Sequence, residues 1–80
     1  MNRPQIVEKI ASILSDVIDR EGLTLTESTT ADSVEDWDSI NHVRLLMGLE
    51  SELRIQFETD EVNSIKNVGG LVDIIQKKLG

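Results

Sequence analysis

Apolar side chains recur at helical spacing in three stretches of the chain, separated by segments that keep no period. Between residues 4 and 20 they stand at Ile6, Val7, Ile10, Ile13, Leu14, Val17 and Ile18. Steps of three and four residues gather them on one stripe of a helix, the face that turns to a core. Pro4 suits the first turn, where its fixed φ and missing N–H do no harm. Gly22 is the expected stop, because glycine accepts the left-handed backbone that ends many helices. The second stretch, residues 39–54, repeats Ile40, Val43, Leu46, Met47, Leu49 and Leu53. Asp38 is placed to cap it, its carboxylate accepting from the free N–H groups of the first turn, with Ser39 at the first helical position. Gly48 weakens this helix by about 1 kcal/mol relative to alanine, so it is either a point of close backbone approach or incidental. The third stretch starts at Asn67 as cap and carries Val68, Leu71, Val72, Ile75 and Leu79. Lys77 and Lys78 fall in its last turn, where the helix dipole favours cations.

The segments between are less regular. Residues 21–38 are rich in Thr, Ser, Glu and Asp, with Leu23, Leu25 and Val34 available to pin them to the core. A connection of this length in a compact domain is uncommon and often functional. Residues 55–66 hold Ile55, Phe57, Val62 and Ile65, and Thr59 or Asp60 is the expected cap of a single helical turn there. No segment alternates apolar and polar positions as a strand does, and there is no repeat or linker. The expectation is an all-α fold: a small four-helix bundle of three long helices and one short, with a long loop between helices 1 and 2.

Composition narrows the function. Eighty residues make one domain, 1–80, with one modest core. Eight basic and fifteen acidic side chains leave a net charge of −7. That balance argues against nucleic acid and anionic membranes, which recruit basic surfaces, and favours basic protein partners. The absence of cysteine excludes disulfides, thiolate metal sites and cysteine nucleophiles. No apolar run is long enough to span a bilayer. The N-terminus leads straight into an amphipathic pattern, so a cytoplasmic protein, complete as written, is expected.

Candidate chemistry concentrates in Asp36-Trp37-Asp38-Ser39-Ile40, which presents a serine hydroxyl at a helix start beside carboxylates. A catalytic serine needs a base and an orienting acid. His42, three residues on and on roughly the same helical face, is the single histidine; there is no nucleophile elbow, and a surface role on the helix is expected for it. Calcium is excluded as an EF-hand: counting from Asp32 puts Val34 third and Trp37 sixth, and counting from Asp36 puts Ile40 fifth and Asn41 sixth. No catalytic residue and no metal site is expected. Trp37 and Phe57, the two aromatic rings, are read as packing that fixes loops to the bundle.

With these residues in place, the chain resembles the acyl carrier proteins over nearly its whole length. The most telling stretch is Asp38-Ser39-Ile40-Asn41-His42-Val43-Arg44-Leu45-Leu46-Met47-Gly48-Leu49-Glu50-Ser51-Glu52-Leu53, similar to that family's Asp-Ser-Leu segment and second helix. The resemblance implies that Ser39, flanked by Asp38, receives 4′-phosphopantetheine from coenzyme A through a phosphopantetheinyl transferase and Mg²⁺. The arm's thiol then holds acyl intermediates as thioesters. It further implies acyl-loading and acyl-processing enzymes as partners, docking basic patches on Asp38, Glu50, Glu52, Glu58, Asp60 and Glu61. An acyl pocket lined by Val43, Met47, Val62, Ile65, Leu71 and Ile75 and a monomeric state complete the expectation. Fatty-acid carriers usually have acids near positions 41 and 44; here stand Asn41 and Arg44. Fatty-acid, polyketide and specialised lipid pathways therefore all stay open. Aminoacyl or peptidyl carriage, and an unmodified acidic helical adaptor, are the alternatives.

Overall fold

The computed structural model describes residues 1–80 and contains helices as its only regular elements. Helix α1 spans Arg3–Ile18, α2 Ser39–Leu53, α3 Thr59–Ser64 and α4 Val68–Leu79. A 3-10 turn, Ala31–Ser33, breaks the long connection between α1 and α2. This is the all-α arrangement of three long helices and one short that the periodicity predicts.

The caps explain where the helices begin. Asn2 Oδ1 accepts from the Gln5 N–H at 2.9 Å, and Gln5 Oε1 accepts from the Asn2 N–H at 2.9 Å, a reciprocal pair that sets the first turn of α1. The helix ends at Asp19, which adopts φ 54° while its N–H donates to the Ser15 carbonyl. Gly22 is therefore not the stop: aspartate tolerates the left-handed region better than most side chains, and Gly22 at φ 70° serves the following turn. The expected caps of α2 and α4 both form. Asp38 Oδ1 accepts from the Asn41 N–H at 2.8 Å, and Asn67 Oδ1 accepts from the Gly70 N–H at 2.8 Å. At α3 the cap position falls on Glu58 rather than Thr59 or Asp60. The Glu58 N–H donates to Glu61 Oε1 at 2.9 Å, so the glutamate three residues on determines where this turn starts.

The core is built on α1, which packs against both α2 and α4. Ile6, Ile10 and Leu14 of α1, Leu45 and Leu49 of α2, and Val68, Leu71, Val72 and Ile75 of α4 are fully buried. Gly48 marks the close approach of α2 to α1: a Cβ there would stand 2.7 Å from Ile13 Cγ2.

One expectation about α2 fails. Its buried stripe is Leu45, Leu46 and Leu49, with Leu53 partly covered. Ile40, Val43 and Met47 are 66%, 52% and 62% exposed. At about 100° per residue, those three share a second stripe on the outer side of the helix.

The long connection is tied to the bundle rather than loose. Leu25 and Trp37 are buried, and Leu23 and Val34 pack against the same core. The N–H groups of Val68 and Gly69, which have no partner inside α4, donate to Thr29 O at 2.9 Å and Glu27 O at 2.7 Å. Arg3 bridges Glu27 in the loop and Asp73 on α4. Its guanidinium holds the Glu27 carboxyl below the usual carboxylate range. Lys78 pairs with Glu61 at 2.7 Å, joining α4 to α3 and lowering the Glu61 carboxyl.

Candidate functional site

Ser39 opens α2 and is exposed. Of the first-turn N–H groups, that of Asn41 is taken by Asp38 Oδ1 and that of His42 by the Asp38 carbonyl at 2.8 Å. The N–H groups of Ser39 and Ile40 stay free of the helix ladder and point outward with the positive end of its dipole. The approach to Ser39 is a sharp turn at Asp36, which adopts φ 72°. Asn41 holds that turn: its Nδ2–H donates to the Asp36 carbonyl at 2.7 Å. Arg20 reaches across to Asp36 at 3.5 Å from the end of α1.

Two open depressions meet at Ser39. One, of about 540 Å³, lies between the loop, α2 and α3, with Ala31, Asp32, Trp37, His42, Val43, Val62, Asn63 and Ile65 in its walls. The other, about 500 Å³ and more open, follows the outer stripe of α2 along Ile40, Val43, Arg44 and Met47.

His42 is not the surface residue expected from sequence. It is half-buried, and Trp37 Nε1–H donates to its Nδ1 at 3.1 Å. Burial pushes its pKa below the ordinary value, which favours the neutral ring. With Nδ1 accepting, the neutral ring carries its proton on Nε2. Neither nitrogen is then a base for Ser39, and a serine–histidine hydrolase pair does not form. Trp37, packed as expected, is buried against the core.

The structure divides the expected acyl-pocket residues. Val43, Val62 and Ile65 do line the depression beside Ser39. Met47 belongs to the outer groove instead. Leu71 and Ile75 are fully buried core on α4, because their stripe faces α1. The walls contributed by Ala31, Asp32 and Asn63 were not legible, since only tertiary contact brings the loop and α3 to Ser39.

The expected docking acids also differ among themselves. Asp38, Glu52, Glu58 and Asp60 are exposed, with Asp38 capping α2 and Glu52 pairing with Lys9 at 3.2 Å. Glu50 accepts from the Phe57 N–H at 2.8 Å, and Glu61 is held by Lys78.

Ser39 thus stands at the rim of a closed bundle, with no base on it and a depression to either side. No family model matches the chain. The acyl carrier protein of Petrotoga mobilis is 35% identical over 81 residues, covering 99% of this chain and 93% of that protein. That of Thermotoga maritima is 32% identical over 79 residues, covering 99% and 98%. The solution structure of the holo acyl carrier protein from Geobacter metallireducens matches with a TM-score of 0.85 at 35% identity, over 92% of this chain and 85% of that one. The crystal structure of the Thermotoga maritima protein gives 0.83 at 31% identity, over 99% and 92%. This chain belongs to the acyl carrier protein family. Proteins of this family carry acyl groups rather than transform them, on a 4′-phosphopantetheine arm.

Proposed function

We propose that Ser39 is the residue that bears the arm, and that this chain shuttles acyl thioesters between biosynthetic enzymes. The observation that carries the reading is the placement of Ser39: exposed, first in α2, with unspent backbone N–H groups beside it. Such a helix start accommodates a phosphodiester, because free N–H donors and the dipole both favour an anion. The arm supplies a thiol that no residue of this cysteine-free chain provides; the chain supplies placement and recognition. Asp38 has a positioning role, since its carboxylate holds the turn that presents Ser39.

A phosphopantetheinyl transferase and acyl-processing enzymes with basic patches are the partners in this reading. Asp38, Glu52, Glu58 and Asp60 are the exposed acids that meet them, while Glu50 and Glu61 contribute to the field from internal hydrogen bonds. The chain works as a monomer in the cytoplasm, as a single domain with a role in fatty-acid or related acyl biosynthesis. No helix is long and apolar enough to cross a membrane.

The test is intact mass before and after incubation with coenzyme A, Mg²⁺ and a broad-specificity transferase. Gain of one phosphopantetheine by the native protein and none by Ser39→Ala is expected. Equal gain by the variant overturns the assignment.

A further inference from the structure

We infer that His42 is a positioning residue for the arm, donating its Nε2–H to the phosphodiester on Ser39. The inference rests on attachment at Ser39 and goes beyond it. Trp37 takes Nδ1, so the donor of the neutral ring is the opposite nitrogen. The two rings lie 5.9 Å apart at 32°, and Trp37 is buried, so the imidazole is oriented by a side chain that is itself fixed. His42 stands one helical turn beyond Ser39, on the same face, and both line the 540 Å³ depression.

The charges of that depression favour a side-chain donor there in addition to the free backbone N–H groups of Ser39 and Ile40. Its charged groups are Asp32 on the 3-10 turn and Asp38 at the cap, both carboxylates that repel a phosphodiester. Asn41, the other amide near the start of α2, is spent on the Asp36 carbonyl. Arg20 pairs with Glu35 and Asp36, and Arg44 belongs to the outer groove. Asn63 is the amide on the far wall, on α3. On α2 itself, His42 is the side chain that offers the depression an N–H beside Ser39. Its hydrogen bond directs the root of the arm between α2 and α3, away from the Ile40–Met47 groove, which stays free for a docking enzyme.

One histidine and one tryptophan make the test direct, because every signal has one source. The full chain is compared unmodified and after loading, the loading verified by intact mass. Nitrogen-15 NMR of the imidazole reports tautomer and titration midpoint, and phosphorus-31 NMR reports the phosphodiester, which does not itself titrate near neutrality. The expected result is an Nε2–H tautomer in both forms and a midpoint about one pH unit higher when loaded, as a hydrogen-bonded anion favours the imidazolium. Asp32 and Asp38 are present in both forms, so the difference isolates the phosphate. The phosphorus resonance moves with the same midpoint, and His42→Phe removes that inflection while loading persists. Equal midpoints and a flat phosphorus trace in a fully loaded sample overturn the role of His42 alone. Failure to load overturns attachment at Ser39, and the His42 contact with it.

Discussion

Helices α2 and α4 both pack on α1, yet they use their apolar residues in opposite ways. In α4 the stripe Val68, Leu71, Val72 and Ile75 is entirely buried, and the first free N–H groups are consumed by the loop. In α2 a buried stripe of Leu45, Leu46 and Leu49 is matched by an outer one of Ile40, Val43 and Met47 that covers nothing. The N–H groups at its start are only half consumed. In the proposed reading this exposed apolar stripe, which adds little to the core, is where a docking enzyme meets the helix. Helix α4 closes the bundle with its whole apolar stripe, whereas α2 closes it on one side and leaves Ser39 and the stripe Ile40, Val43 and Met47 exposed on the other.

The contrast can be broken at several points. Ser39→Ala carries the largest effect: loading with phosphopantetheine is abolished, while urea unfolding moves by no more than about 0.5 kcal/mol, as for an exposed site. Ile75→Ala on α4 is expected to cost about 2–5 kcal/mol by the same unfolding measurement. Met47→Ala on the outer stripe of α2 stays within about 0.5 kcal/mol. Comparable losses for both would erase the distinction between the two helices. Gly48→Ala sets a gain of about 1 kcal/mol in helix propensity against an overpacking cost of about 1–3 kcal/mol where the new Cβ meets Ile13; net destabilisation is expected, and a stabilised variant would mean α1 and α2 can separate freely. Asp38→Ala removes the cap and should cost about 1 kcal/mol.

The smallest effect is in pH. The folded pKa of His42 lies below its ordinary value of 6.5, so the unfolded chain binds protons more readily. Its stabilising contribution is complete above about pH 6.5 and declines as pH falls toward the folded value. Glu27 and Glu61, lowered by Arg3 and Lys78, contribute above about 4.5 and lose that contribution at lower pH. Stability should therefore fall in two stages on acidification. His42→Leu should flatten the upper stage only; an unchanged upper stage in that variant would assign it to other groups.

Much of this was legible in the chain, and the failures have physical causes. Helix periodicity and cap chemistry placed α1, α2 and α4, with Asp38, Ser39 and Asn67 at their positions. Periodicity does not say which stripe of α2 faces inward, because 40-43-47 and 45-46-49 are both compatible with one face of a helix. Burial on α1 decides it. The end of α1 was misjudged because Asp19 takes a conformation that glycine was expected to supply. The position of Ser39 at the start of α2 was visible from its local setting. The depression beside it was not, since Ala31, Asp32 and Asn63 reach it from segments that local pattern cannot relate. The Trp37–His42 hydrogen bond joins the end of the loop, just after the left-handed turn at Asp36, to α2, a pairing that no periodic signal encodes.

The central claim is that the open end of α2 carries the arm at one residue. Peptide-resolved mass spectrometry of the transferase-loaded protein tests it most directly, with fragmentation that separates Ser39 from Ser33 in the loop and Ser51 further along α2. The expected result is the full phosphopantetheine mass on Ser39 and unmodified Ser33 and Ser51. The same mass on either of those, or on none of the three in a reaction that loads a control carrier, would contradict it.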